Sequence, residues 1–578
     1  MLISLSGFEA EFEKDKRVYE KGNIACWFKG YYFFENKYYE SHSAANHIIS
    51  RYGSYELEKN IPEFNGIFSA VILNRKTQTL KIITDRIAPS NLFYSKQGNS
   101  FYLSDDIYKI KSLIVKPQIS IESAIEFLHF RFVSGKYTLF KDIYCTTPAL
   151  ILDISVDGRD INISSKRYWD YDYSLKEYSI KEAETKCYTI LNEIIERFNS
   201  HIFNEKSIGL NLSGGFDSRT ILGLLLQNNI KQLKFFTFGH PSCDDIIYTE
   251  QIRKQFDLNG HVVSDLNIYD KLFDEKFIQS LTLKIGHHCY YFQGYITQLF
   301  EKQYENIQYL LTGDIGFTIG LLIKDQIHSI KTNDEMIHLI CKKNRHLKPV
   351  EISSLLNFSV SPKLISQIIQ KRIKEAIGDT KDYSLKYYKW YQENRLRKYA
   401  LSSFDLYSEY TKVLYPFFDH NFHDFMFTVP HTIRRNQRVY LNTIAKHIFK
   451  NELKPLSQIP YQGRGKYRLN KINEYAPIKK NSLNMIIKML NPFRKNSRLN
   501  SLHPISYLWN KQNEKYLGKI DGTINFNSKI LNKKSLNNII RKREKKHMFI
   551  QYGLLILLSL ITFEKINPDC KVSDIRKI

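Results

Sequence analysis

One stretch limits what this chain can become: Ile208-Gly-Leu-Asn-Leu-Ser-Gly-Gly-Phe-Asp-Ser-Arg219, followed at once by Thr-Ile-Leu-Gly-Leu-Leu-Leu. An apolar-leaning run enters a Ser-Gly-Gly turn and an apolar helical pattern leaves it. Strand, glycine-rich turn and helix N-terminus in that order make an anion site, because free N–H groups and the helix dipole face one spot. Gly214 and Gly215 let the backbone approach a phosphate where a Cβ would collide. Ser213 and Ser218 add hydroxyl donors, and Leu212 brings the strand into the turn. Asp217 would repel a phosphate directly, so an acid there reads as a ligand for Mg²⁺ held on phosphate oxygens. No Gly-Lys-Ser/Thr follows, so the turn is not a Walker loop.

A chain of 578 residues is too long for one core and suggests roughly two to four domains. The apolar fraction of 43% excludes a disordered chain. A formal charge of +25 suits nucleic acid or an anionic surface. Lys, Asn, Ile and Tyr are all abundant, however, so AT-rich codon usage explains the charge better, and no nucleic-acid module is recognisable. The cysteines are scattered, odd in number and without a C-x-x-C pair, which speaks against a disulfide framework or zinc site and suits a reducing cytoplasm. Glu9, Glu11 and Glu13 stand where an export signal would be apolar. The run from Met548 to Phe563 is shorter than the roughly 20 residues of a membrane span and is interrupted by Gln551, so it reads as a buried helix.

Residues 1 to about 155 alternate short apolar segments with turn signals and read as β-rich, with Asn74 to Gln78 as a hairpin connection. The words Phe64-Asn-Gly-Ile-Phe-Ser-Ala-Val-Ile, Thr84-Asp-Arg-Ile-Ala-Pro-Ser-Asn-Leu-Phe-Tyr94, Phe101-Tyr-Leu-Ser-Asp105, Tyr137-Thr-Leu-Phe-Lys-Asp-Ile143 with Pro148, and Arg167-Tyr-Trp-Asp170 resemble the class II glutamine amidotransferase domain of asparagine synthetases. The resemblance implies an αββα sandwich over residues 1–170 that hydrolyses glutamine with a cysteine directly after the initiator Met. Here Met1 is followed by Leu2, Ile3 and Ser4, and no cysteine precedes Cys26. That chemistry needs the nucleophile's own α-amino group as base, so an internal cysteine cannot replace it. The expectation is a retained scaffold without glutaminase activity.

Residues 175–570 form the second expected domain. A helix over about 175–200 leads into the Ser-Gly-Gly strand. Leu233 to Gly239 and His261 to Ser264 read as further strands, and Glu250 to Leu258 as a helix. Such alternation argues for a doubly wound parallel sheet with ligand at the strands' C-terminal ends. The S-G-G-x-D-S turn resembles the pyrophosphate loop of ATP-pyrophosphatases. That resemblance places Phe238 at the adenine pocket. Tyr309-Leu-Leu-Thr-Gly-Asp-Ile-Gly316 resembles the family's second signature, matched at Gly313 and Asp314. Phe317 stands where the family has a metal-binding Asp, and Thr318 where it has Glu. Asp244 or Asp245 is a candidate to compensate. Tyr415-Pro-Phe-Phe-Asp-His-Asn-Phe422 resembles the stretch whose helix packs beneath the active site, which makes Asp419 structural. Asn451 to Gly463 resembles the loop carrying the family's phosphate lysine. Tyr461 occupies that position, with Arg464 and Lys466 nearby as substitute cations.

The implied protein is an asparagine synthase-like ligase using ATP and Mg²⁺. Ser213, Gly214, Gly215 and Ser218 would hold pyrophosphate, with Leu212 and Gly313 also at the ATP site, Asp217 would hold the metal, and Asp314 would orient or deprotonate the amine. The implied partners are a small-molecule or peptide carboxylate, no nucleic acid and no integral membrane span, with a homodimer left open. Ammonia, a substrate's own amine, or an external amine joined to a sugar precursor or peptide all remain as nucleophiles. A degenerate, non-catalytic nucleotide or partner binder is the rival reading, favoured by Phe317 and Tyr461.

Overall fold

Strand Ile24–Phe34 is buried along almost its whole length, because it serves two cores at once. Successive side chains point to opposite faces. Ala25 and Trp27 pair with Leu73 and Val71 and face one core, while Cys26 and Phe28 pair with Ile72 and Ala70 and face the other. A one-residue slip would exchange the two sets, so register is tightly specified. The computed structural model describes residues 1–6, 9–12, 15–158, 160–203, 206–230, 232–239, 241, 244–263, 274–285, 301–314, 319–320, 327, 329–378, 380, 382–402, 404–459, 526–536 and 555–573.

The N-terminal part is two antiparallel sheets face to face. One runs Tyr144–Cys145, Phe93–Gln97, Ser100–Ser104, Leu2–Ser6, Glu9–Phe12. The other runs Asp160–Arg167, Leu150–Asp157, Thr79–Thr84, Asn65–Asn74, Ile24–Phe34, Val18–Lys21, with Lys37–Glu40 also on Ile24–Phe34. Ile3, Phe101 and Leu103 meet Trp27, Val71 and Ile82 between them. Helix Ser41–Arg51 covers the second sheet's outer face through Ala44, Ala45 and Ile48. Helices Ile107–Leu113 and Ile121–Phe130 share a core with Phe93 and Cys145 of the first. The layering is therefore αββα, as the sequence words imply. The Asn74–Gln78 hairpin is present, with Asn74 Oδ1 accepting from the N–H groups of Lys76 and Thr77 at 3.0 and 3.3 Å.

The chain then enters helix Ile180–Phe198, started by a capping box in which Ser179 and Glu182 satisfy each other's backbone donors. Beyond it lies a five-stranded parallel sheet in the order Asn259–Val263, Leu233–Phe238, Ile208–Asn211, Tyr309–Leu311, Lys412–Leu414. Leu233, Phe235, Tyr309 and Leu311 face the core shared with helices Ile180–Phe198 and Phe216–Gln227. Phe236 and Leu310 face the opposite side, against Tyr304 and Ile307. The last strand is missing from the sequence reading, which takes everything after about 330 as helical. At three residues, Lys-Val-Leu is too short to show a period.

Strand order reverses between Ile208–Asn211 and Tyr309–Leu311, and the crevice beyond their C-terminal ends is the usual ligand position in open parallel sheets. The two loops singled out in the sequence, Ser213-Gly-Gly and Gly313-Asp314, leave from those two ends.

Contacts between the two parts are extensive. Lys29 pairs with Asp405 at 2.6 Å and Arg86 with Asp424 at 2.9 Å. Asp419 caps helix His420–Thr428, accepts from Asn65 Nδ2 at 2.9 Å and pairs with Arg197, which is the structural role expected for it. Strand Lys571–Val572 returns to pair in parallel with Gln118–Ile119. Helix Leu555–Lys565 is buried in the core it shares with Phe140 and Ile125. The preceding part of that apolar run, 548–554, lies outside the described residues. Among the described residues no helix is long and apolar enough to cross a membrane.

Candidate active site

Leu212 directly follows the central strand, buried, and its N–H donates to Phe236 O at 2.9 Å. The chain then makes the Ser-Gly-Gly turn and starts helix Phe216–Gln227 with Gly215 as N-cap. The sequence predicts free N–H groups in this turn, and the structure corrects that. Ser213 N–H donates to Ser218 Oγ at 3.1 Å, Gly215 N–H to Ser213 Oγ at 3.1 Å, and Gly214 N–H to Asp245 Oδ1 at 2.7 Å. Enclosed by protein, these donors take their acceptors from nearby side chains, as buried N–H groups must. The two hydroxyls that would hold an anion, Ser213 and Ser218, are also 3.2 Å from each other.

Asp217 lies in the first turn of the helix. It is half-buried. Burial pushes its pKa up to about 7, the charge of Asp314 pushes the same way, and a hydrogen bond from Tyr440 opposes both. Tyr440 Oη donates to Asp217 Oδ1 at 3.0 Å and lies 3.1 Å from Thr220 Oγ1. Asp314 is likewise raised by burial, while Thr312 Oγ1 donates to its Oδ2 at 2.8 Å. Two acids that resist ionisation next to each other fit a divalent cation, whose charge would reverse both shifts. Among the described residues no group of three ligating side chains exists. Mg²⁺ takes one or two carboxylates and completes its shell with phosphate oxygens and water.

Gly313 explains how the two loops come so close. A Cβ on it would lie 2.7 Å from the backbone N of Ser218 and 3.1 Å from the carbonyl carbon of Asp217. Only a residue without a side chain lets the second loop rest on the helix start.

Sequence reasoning missed Arg219, Tyr440 and Thr312. Arg219 is fully buried. It donates to Gly215 O at 3.2 Å and Gly214 O at 3.0 Å on one side, and to Leu456 O and Ile459 O at 2.8 and 3.0 Å on the other. One guanidinium thus joins the turn to the segment leading toward residue 460. The arginine adjoining Asp-Ser was a signal; Tyr440 had none, being more than two hundred residues away in sequence. Of the remaining expectations, Phe238 ends strand Leu233–Phe238 beside Phe236 and Tyr304. Asp245 proves to be the partner of a loop N–H. Phe317, Thr318, Tyr461, Arg464 and Lys466 lie outside the described residues, as does the side chain of Asp244.

The N-terminal sandwich holds a second charged group. The Met1 amine donates to Asp105 at 2.8 Å and pairs with Asp15 at 3.2 Å, and Arg17 bridges the same two acids at 2.6 and 2.9 Å.

A family model described as a glutamine amidotransferase domain matches residues 28–169. The putative asparagine synthetase [glutamine-hydrolyzing] 2 of Methanocaldococcus jannaschii is 23% identical over 207 residues, 35% of this chain and 39% of that protein. Asparagine synthetase [glutamine-hydrolyzing] 3 of Bacillus subtilis is 25% identical over 247 residues, 39% of each. The match therefore spans well under half the length of these curated relatives. Among solved structures, glutamine phosphoribosylpyrophosphate amidotransferase from B. subtilis aligns over 34% of this chain and 43% of its own at 10% identity, with a TM-score of 0.18, too slight a likeness to build on. The family match and the two relatives together support an asparagine synthase-like family with a glutamine amidotransferase-like N-terminal domain.

Proposed function

We propose that this chain is an ATP-dependent carbon–nitrogen ligase of the ATP-pyrophosphatase type, forming an amide through an acyl-adenylate. It takes nitrogen from ammonia or a substrate amine and not from glutamine. The observation that carries the reading is the meeting of Asp217 and Asp314 over the Ser-Gly-Gly turn at the sheet's reversal point.

In the reaction a substrate carboxylate attacks the α-phosphorus of ATP and pyrophosphate leaves; an amine then attacks the acyl carbon and AMP leaves. Ser213 and Ser218 rotate their hydroxyls from each other toward the pyrophosphate, and Gly214 and Gly215 present backbone donors from a position no side chain obstructs. Asp217 would hold Mg²⁺, which when bound neutralises phosphate charge. Tyr440 fixes the orientation of that carboxylate through its hydroxyl. Asp314, held by Thr312 beside Asp217, is the carboxylate placed to orient the amine and take its proton. Arg219 fixes the turn's carbonyls away from the anion. It also roots the segment from which Arg464 or Lys466 would reach the phosphates.

The scaffold reading of the N-terminal domain rests on Leu2 in the nucleophile's position; the Met1 amine beside it is held by ion pairs. Its ion pairs with Asp15 and Asp105, which Arg17 also bridges, make a closed charged group. Phe317 in place of a metal-binding acid favours one rival, a nucleotide binder without chemistry.

ATP–pyrophosphate isotope exchange, run across candidate carboxylates and with native lysate as a substrate source, separates the two. Exchange that requires Mg²⁺ and is lost in Asp217→Asn supports the ligase. ATP binding with no exchange in any mixture supports the binder. ADP as product would sink both the loop assignment and the ligase.

A further inference from the structure

A cavity of about 390 Å³ opens where the N-terminal sandwich meets the helical part of the chain, away from the Ser-Gly-Gly turn. Loop residues between 134 and 148 and Arg167 form one wall; helices Pro362–Ile377 and Tyr383–Trp390 and the turns of Tyr391–Ala400 form the other. Its size falls in the range of about 300–1,000 Å³ typical of small-molecule sites.

Five of its lining residues are cationic and two, Glu375 and Glu393, are acidic. Three of the cations are matched. Arg167 donates to Glu393 at 2.6 Å, Lys389 to Asp170 at 2.8 Å, and Arg372 to Glu122 at 2.8 Å. Arg397 and Lys136 remain.

Arg397 is 0% exposed. Its Nε donates to Ala88 O at 2.6 Å, and its Nη2 to Thr146 O at 2.6 Å and Asn91 Oδ1 at 3.2 Å, all neutral acceptors. Its Nη1 has no acceptor. The acid whose charge couples to it, Asp85, has its oxygens taken by the N–H groups of Phe68, Ile87 and Ala88. A buried guanidinium with an unmet donor is costly unless something answers it. Lys136, at the exposed end, rests its ammonium 5.4 Å above the Tyr144 ring and pairs with no carboxylate among the described residues.

We propose that this cavity binds a small metabolite through an oxyanion, a phosphate or a carboxylate group. Arg397 Nη1 is the deep donor and Lys136 the cation at the mouth. Because both parts of the molecule line the cavity, the ligand stabilises their junction, and it does so independently of the ligase site.

Thermal unfolding of the full chain tests this. Millimolar inorganic phosphate is compared with chloride matched in ionic strength, and succinate is run in parallel to tell a carboxylate ligand from a phosphate. The expected result is a rise of about 2 °C with at least one of the two anions. Lys136→Glu, an exposed change that leaves the ligand-free midpoint where it was, abolishes the rise. Ser218→Ala, in the other place where phosphate could sit, retains it. No rise with either anion, a rise that survives Lys136→Glu, or a rise lost in Ser218→Ala overturns the proposal.

Discussion

Two charged groups in this molecule are built to opposite plans. Around the Met1 amine, two acids and two cations close on each other. Burial alone would raise the Asp15 carboxyl, but the Arg17 hydrogen bonds and charge, with the terminal amine, hold it well below the usual range. At the sheet reversal point, Asp217 and Asp314 are brought together among hydroxyls, and both carboxyls are held up. The first group is complete within the chain, whereas the second sets two carboxyls that resist ionisation beside each other, the pair that the proposed Mg²⁺ would answer. A closed quartet stabilises structure, and an unbalanced pair at a sheet's ligand edge is what a site for a charged substrate looks like.

The same substitution should therefore do opposite things in the two places. Asp217→Asn is expected to cost about a thousandfold in ATP–pyrophosphate exchange, the scale of a lost metal ligand. The thermal midpoint should hold or rise, since a repelled acid has gone. Asp15→Asn should leave exchange alone and remove about 3 kcal/mol of stability, because it strands the charges it had matched. Equal stability losses in both variants would erase the distinction.

Gly313→Ala sharpens the comparison by separating the acids without touching either. The new methyl group would meet backbone atoms at 2.7 and 3.1 Å, and backbone cannot swing aside as a side chain can. The second loop must lift from the helix start, and a displacement near 1 Å costs roughly a hundredfold in rate. Exchange should fall by that order. Near wild-type rates would mean the two loops do not act together.

Acidity gives a third break. Asp217 has a native value near 7 against an ordinary value near 4 unfolded, so the native state holds the proton more tightly. Its contribution is whole below pH 4 and is lost as pH rises toward 7, with a slope of at most about 1.4 kcal/mol per pH unit. Asp15 runs the other way. Its depressed value gives stability that is present above about pH 4 and lost as pH falls. Denaturant midpoints in EDTA between pH 3 and 8 should show both arms. Asp217→Asn should flatten only the upper one, and an unchanged upper arm would remove Asp217 as its source.

The backbone of this account was legible from residue order. Alternating apolar segments and fixed words marked the sandwich, and Ser-Gly-Gly-Phe-Asp-Ser followed by an apolar helix marked the loop. Strand Lys412–Leu414 was not legible, because three residues carry no period and its place is set by pairing with Tyr309–Leu311. Tyr440 and Thr312 were silent for a related reason: each acts on an acid through a contact that exists only after folding. Loop hydrogen bonding also escaped the sequence. A glycine-rich turn advertises donors, but whether they stay free depends on which side chains the fold brings near.

Asp245 is the side chain that decides this for Gly214, and it gives the finest test. Its carboxylate accepts the Gly214 N–H at 2.7 Å, where a phosphate oxygen would bind, and so places a negative charge on the anion site. Asp245→Asn keeps an oxygen able to accept the same N–H and removes only the charge. If the contact is a placeholder that ATP displaces, nucleotide affinity should rise by about fivefold, roughly 1 kcal/mol of relieved repulsion in a partly solvated site. Its Mg²⁺ dependence should stay the same. If Asp245 instead turns toward the metal in the complex and supplies the acid missing at Phe317, affinity should fall and the Mg²⁺ requirement should weaken. Calorimetric titration of ATP with and without the metal reads the sign directly. A fall would move Asp245 from the closed kind of group to the open kind, as a third member of the site with Asp217 and Asp314.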